Sequence, residues 1–197
     1  MSGKTRVPAT EITGIFGAVA KRFSKKMLGE VPESLGVMWH NQRVLRTFIG
    51  FSGKTDKWDA CDTQLKSFAH MAAVSQVGCS FCLDLGYFRA RDAKLDMDKA
   101  REVPRWRESE VFTPLERDVM EYAEAMTLTP PTVTDELSGR LLAQIGEPAM
   151  VELTAFIAFA NFAARANTAF GISAQGFSDT CGLPPIDAPW SEPLGVA

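Results

Sequence analysis

The 197-residue chain reads as an all-α protein. Three observations predict this. Apolar residues recur every three to four positions in successive segments, helix-start and helix-stop residues bracket those segments, and no stretch alternates apolar and polar residues as a half-buried strand would. From Pro32, the residues Leu35, Met38, Trp39, Val44, Leu45, Phe48 and Ile49 mark one helix, which Gly50 and Ser52-Gly53 should end. Leu65, Phe68, Ala69, Ala72 and Ala73 mark the next, stopped by Gly78. Another starts at the cysteine that follows and runs through Leu83 and Leu85 to about Ala93, with Arg89 and Arg91 near its end, where cations complement the helix dipole. Asp96 opens a short turn of helix, and residues 103–112, with Pro104, Arg105, Trp106, Arg107 and Glu108, read as a surface connection; Arg101, Arg105 and Arg107 near Trp106, interleaved with Glu102, Glu108 and Glu110, read as a solvated mixed-charge stretch. Thr113-Pro114-Leu115-Glu116 combines an N-cap, a proline at the first helical position and a capping box, and predicts a helix to about Met126. Thr129-Pro130-Pro131 stops it. Thr134-Asp135-Glu136 starts a helix through Leu137, Leu141, Leu142 and Ile145 that Gly146 closes, and the longest segment runs from Pro148 to about Gly171.

Composition fits one domain over residues 1–197, with a flexible N-terminal segment and an irregular C-terminal arm from about residue 172, where Gly, Ser and Pro predominate. Lys plus Arg number 21 against 24 Asp plus Glu, a formal charge of -3 that offers no surplus for nucleic acid or an anionic membrane surface. Met1 to Ala9 is polar and basic with no apolar run behind it, so no signal peptide is expected and the predicted location is cytoplasmic. The most apolar window, Ala149 to Ala164, contains Glu152 and Asn161 and reads as a buried helix too short to span a bilayer.

The dense chemical signal is Gly78-Cys79-Ser80-Phe81-Cys82. A Cys-x-x-Cys at a helix start sets two thiols on one face, close enough to bridge, beside unpaired amides that stabilise a thiolate. That is a redox geometry, weighed against two small buried thiols without chemistry. Zinc would need about four ligands, and His40, His70, Cys61 and Cys181 lie at unrelated spacings, so no metal site is expected. The glycines form no G-x-G-x-x-G, so no nucleotide fold is indicated and the expected chemistry is cofactor-free. Trp39, Phe48, Trp58, Phe68, Phe156, Phe159, Phe162 and Phe170 read as core or oligomer contacts. A weak internal repeat at an offset of 85 lays Ser67 on Glu152, Phe68 on Leu153, Ala72 on Ile157 and Ala73 on Ala158, which suggests two related helical halves.

Cys79-Ser80-Phe81-Cys82-Leu83-Asp84-Leu85-Gly86, with a helix ending at Gly78 before it and Glu152-Leu153-Thr154-Ala155 and Asn161 to Gly171 after it, resembles the carboxymuconolactone decarboxylase family, which includes the alkylhydroperoxidase D proteins. The resemblance covers roughly Pro32 to Thr180. It implies an all-helical bundle that assembles as homo-oligomers, here a dimer, trimer or hexamer. In the peroxidase branch, the cysteine pair reduces a hydroperoxide, closes to a disulfide, and is reopened by a dithiol such as a lipoylated protein. Carried onto this chain, Cys82 is the attacking thiolate and Cys79 the resolving thiol.

The chain departs from that pattern at the proton relay. The branch has a glutamate twelve residues before the first cysteine and a histidine four after the second, where this sequence has Ser67 and Gly86; a further histidine before the second cysteine is Phe81 here. His70, three residues past Ser67, and Glu152, which the repeat sets opposite Ser67, are the candidate replacements. The other expectation for Glu152 is a structural pair with Arg165, and Asp84 is expected to point away from the cysteines, toward solvent or a subunit contact. Three functions compete: a cofactor-free hydroperoxide or disulfide reductase, a decarboxylase-like lyase that needs no cysteines, and a helical oligomer that binds an apolar ligand.

Overall fold

A computed structural model describes residues 5–179. These residues form α1 (Gly14–Leu28), α2 (Glu33–Met38), α3 (Gln42–Thr55), α4 (Thr63–Val77), α5 (Ser80–Asp92), α6 (Met97–Glu102), a 3₁₀ turn (Val103–Arg105), α7 (Pro114–Thr127) and α8 (Asp135–Phe170), with no strand among them. The all-α expectation holds.

The centre of the bundle is α4. Asp62 starts it by accepting the N–H groups of Gln64 and Leu65, and Gly78 ends it at φ 77°, a left-handed conformation that glycine adopts without a Cβ penalty. Phe68, Ala69, Met71, Ala72, Ala73 and Val74 are all buried, so α4 carries apolar surface on most of its circumference. Its alanines let α7 and α8 approach closely, and Val119, Met120 and Ala123 of α7 and Leu153, Ile157, Ala160 and Ala164 of α8 close the same core. The capping box of α7 forms as expected: Glu116 N–H donates to Thr113 Oγ1 at 3.2 Å and Thr113 N–H donates to Glu116 Oε2 at 2.8 Å.

Several boundaries differ from the sequence reading. The helix expected from Pro32 is two helices, because Asn41 caps a new start by accepting Val44 N–H, and Gly50 and Gly53 lie inside α3 instead of ending it. Both glycines face open space, and an exposed interior glycine costs only about 1 kcal/mol, which does not stop a helix already under way. The N-terminal segment is tied down: Arg6 N–H donates to Phe170 O at 2.8 Å and its guanidinium reaches the Thr168 and Ala169 carbonyls, satisfying free acceptors at the end of α8. Helix α1, not expected from the sequence, turns Ile15, Val19, Phe23 and Met27 outward in one exposed apolar stripe. The 103–112 connection is anchored, with Val103, Trp106 and Phe112 buried and Trp106 Nε1 donating to Glu124 Oε1 at 2.8 Å.

The two segments expected around Gly146 form one helix, α8, interrupted where Gly146 adopts φ 76°, ψ 167° just before Pro148. By length and composition α8 is apolar and long enough to cross a bilayer, and only 22% of its most apolar stretch is buried within the chain. The buried-helix expectation for Ala149 to Ala164 therefore holds on one face only; the other is apolar as well, and its Val151 and Phe162 stand exposed within the described residues. The halves related by the 85-residue offset pack against each other as α4 and α8, but their backbones differ: the first breaks at Gly78 while α8 continues unbroken through Ala163.

Candidate functional site

The cysteines sit where α4 hands over to α5. Gly78 reverses the chain, Cys79 becomes the N-cap of α5, and Cys82 follows one turn later. The two sulfurs are joined as a disulfide with Cα atoms 5.3 Å apart, and both residues are buried. Each sulfur has its own donor. Cys79 Sγ accepts Cys82 N–H at 3.3 Å, and Cys82 Sγ accepts Asn167 Nδ2–H from α8 at 3.4 Å. Asn167 falls at the 85-residue offset from Cys82, yet the repeat by itself gave no reason to single it out.

Asp84 overturns its expectation. Instead of facing solvent it is fully buried, and its carboxylate accepts four backbone N–H groups: those of Gln175, Gly176 and Phe177 on Oδ2 and that of Ser178 on Oδ1, at 2.7 to 3.1 Å. Ser80 Oγ accepts Ala174 N–H at 3.2 Å. The irregular segment after Ile172 is thus a strap fastened across the start of α5, with Phe177 packed edge-on against both Phe81 and Phe88. The sequence hid this because the donors are main-chain amides of a segment without periodicity. Cys181, expected in that arm, lies outside the described residues.

One turn past Cys82, Gly86 faces α4. A Cβ placed there would meet Met71 Cγ at 3.1 Å and His70 Nδ1 at 3.2 Å, so the imidazole of His70 stands against the position where the family resemblance expects a histidine. A side chain at 86 would press on Met71 and on the ring of His70, which would have to give by a few tenths of an ångström. His70, Gly86 and Ser67 line one cavity of about 190 Å³, together with Lys66, Arg89, Trp58 and Phe156. Burial, reinforced by the Arg89 charge, lowers the His70 pKa from 6.5 to about 4, so the ring is neutral at pH 7.

Glu152 is committed elsewhere. It pairs with Lys66, not Arg165, at 2.6 Å in a site where both side chains are largely buried, and its second oxygen accepts Ala60 N–H at 2.8 Å. Burial alone would raise its pKa, but the hydrogen bonds from Lys66 and from the Ala60 and Cys61 amides outweigh that and hold the carboxyl below its usual range. Arg165 instead donates to Thr127 O at 2.6 Å. The structure thus brings His70 to the cavity and leaves Glu152 behind Lys66. Among the described residues no three His, Cys, Asp or Glu side chains gather as metal ligands.

A helical bundle with a buried Cys-x-x-Cys disulfide at a helix start defines the class of protein. Residues 42–125 match the model of the carboxymuconolactone decarboxylase family, and the chain is 36% identical over 137 residues to the uncharacterized protein YnjA of Escherichia coli, covering 70% of this chain and 72% of that one. The chain belongs to the carboxymuconolactone decarboxylase family. Its fold is similar to that of the debrominase Bmp8, solved as a Cys-to-Ala variant with 2,3,4-tribromopyrrole (TM-score 0.79, 22% identity, 91% of this chain and 97% of that one). It is also similar to an uncharacterized peroxidase-related protein with an alkylhydroperoxidase AhpD core from Ralstonia eutropha JMP134 (TM-score 0.77, 14% identity, 89% and 94%). At these identities the likeness speaks to the fold.

Proposed function

We propose that this protein is a cofactor-free thiol oxidoreductase that reduces a hydroperoxide through Cys82 and Cys79. The observation that carries the reading is the Cys79–Cys82 disulfide at the start of α5, with a separate hydrogen-bond donor on each sulfur. In the reduced protein, the Cys82 thiolate attacks the distal oxygen of ROOH; the O–O bond breaks, the alkoxide takes a proton to leave as ROH, and Cys82 becomes a sulfenic acid. Cys79 then attacks that sulfur, the S–S bond forms, and water leaves. A dithiol, free or on a lipoylated protein, returns both cysteines to thiols and is itself oxidised to a disulfide.

His70 takes the place of the relay histidine in this reading. Neutral at pH 7, its ring carries one N–H and one lone pair and stands beside Gly86, one turn past Cys82, on a cavity whose lining includes neither cysteine. Glu152 serves by holding Lys66 at the cavity edge. The same reading takes the protein to be cytoplasmic and a homo-oligomer; the assembly is supported by the exposed stripe of α1 and by Phe48, Phe51, Phe159 and Phe162 around an open apolar groove between α3 and α8.

The test is the second-order rate of thiol loss from the reduced protein with an alkyl hydroperoxide, in wild type, Cys79→Ser and Cys82→Ser, with the disulfide followed by mass. A rate far above that of a free thiol, abolished in Cys82→Ser, is expected. A rate no faster than a free thiol overturns the peroxidase reading, and carbon dioxide release from a carboxylated lactone with both cysteines replaced would establish a lyase instead.

A further inference from the structure

We propose that Asn167 is a positioning residue for Cys82, whose carboxamide N–H stabilises the sulfur as a thiolate and supplies from α8 part of what the relay no longer provides. The inference rests on the redox reading above only for its use, because the donor–sulfur geometry is independent of what the thiolate attacks. Asn167 is buried, and its Nδ2 lies 3.4 Å from Cys82 Sγ. It is held there by the C-terminal cap of α8: Ile172 N–H donates to the Asn167 carbonyl at 3.0 Å, Gly171 turns the chain at φ 73°, and Arg6 clamps the carbonyls of Thr168 and Ala169. Breaking the disulfide frees the sulfur without loosening these ties.

A thiolate accepts an N–H far more strongly than a thiol does, so a fixed donor favours the ionised form. The sulfur's proton leaves to water; Asn167 neither gains nor loses one. Among the described residues, charged and titratable groups near α5 come from its own turns and from α4, α6, the 3₁₀ turn and α8: Arg91 lies over the Phe88 ring, Asp92 ends the helix, and Arg105 acts on Tyr87. His70 comes from α4 and stands one turn away at Gly86, and Glu102 comes from α6 beside Tyr87. On α5 itself, Asp84 is consumed by the strap and Arg89 reaches toward Asp56. From α8, Arg165 turns to Thr127, and the neutral Asn167 donates to Cys82 Sγ. The two cysteines are thereby distinguished: Cys79 leans on a backbone amide of its own helix turn, whereas Cys82 depends on a side chain from a different helix.

The experiment places Asn167, Asn167→Ala and Asn167→Asp in a Cys79→Ser background and follows alkylation of Cys82 by iodoacetamide from pH 5 to 10, quantified on the Cys82 peptide. With Asn167 present, the midpoint should fall below the free-thiol value of about 8.5. Asn167→Ala should raise it by about one unit, a tenfold smaller thiolate fraction at neutral pH. Asn167→Asp, equal in shape but anionic, should raise it further. Profiles that overlay across folded variants overturn the proposal. So does a midpoint at or above 8.5 in the protein with Asn167 intact, a result that needs no substitution at 167. Peroxide reactivity is read separately: a shifted midpoint without fast peroxide reduction keeps Asn167 in this role and removes the peroxidase reading.

Discussion

Asp84→Asn should unfasten the strap while leaving the bundle standing. The carboxylate accepts three N–H groups on one oxygen and one on the other. Bonds to a charged acceptor contribute roughly 1.5–3 kcal/mol each and neutral ones about half of that. A carboxamide keeps one acceptor oxygen. If that oxygen faces residues 175–177, three bonds weaken by about 0.5–1 kcal/mol each, and the new NH2 group confronts Ser178 N–H at a further cost of about 1–2 kcal/mol. The sum, about 2.5–5 kcal/mol, matches or exceeds the roughly 2–3 kcal/mol that holds a buried phenylalanine such as Phe177 in place. The strap should therefore open locally before the core gives way. Native-state hydrogen exchange at Gln175 to Ser178 should accelerate by at least about a hundredfold, since 1.4 kcal/mol is tenfold. Because the strap crosses the start of α5, the Cys79–Cys82 disulfide should also be reduced faster by a water-soluble phosphine. Unchanged exchange and an unchanged reduction rate would refute the reasoning, and Asp84→Ala, which removes all four acceptor contacts, should exceed Asp84→Asn on both readouts.

His70 should make the protein acid-sensitive. Its pKa is about 4 folded against 6.5 ordinarily, so between those values the unfolded chain binds the extra proton and stability falls as pH drops, by up to about 3 kcal/mol; urea melts of wild type and His70→Gln should diverge in slope from pH 6.5 to 4, and parallel slopes would exclude it. Lys66→Met strands the Glu152 carboxylate and should cost about 2–3 kcal/mol, lowering Tm by roughly 6–10 °C, while Lys66→Met with Glu152→Leu should recover most of the loss; a double variant no better than the single would contradict this. Burial, reinforced by Glu152 and Asp62 against the opposing charge of Lys66, pushes the Cys61 thiol up to about 11, so in the native protein iodoacetamide at pH 8 should modify it roughly a hundredfold more slowly than a free thiol, checked by peptide mapping.

Periodicity and punctuation carried the helical class, the end of α4 at Gly78, the start of α5 at the cysteine pair, the capping box of α7 and the break at Gly146, because each depends on residues within a few positions of one another. Helix α1 escaped for the same local reason. Its apolar stripe faces outward, at the end of a chain where polar residues suggested disorder. The motif named Cys79 and Cys82 from spacing alone, and their proximity follows from one helical turn.

What surrounds that pair was decided in three dimensions. Asn167 reaches Cys82 across 85 residues, the strap's amides reach Asp84 across more than 90, and Glu152 chooses Lys66 over Arg165 because α8 packs beside α4 in that register. His70 was legible as a candidate only through its spacing from Ser67. That its ring stands against Gly86 required α4 and α5 to be folded against each other. Local order along the chain is set by short-range sterics and hydrogen bonds, which a sequence displays. The partners of a buried polar group are set by which helices meet, and burial then compels each such group to find one.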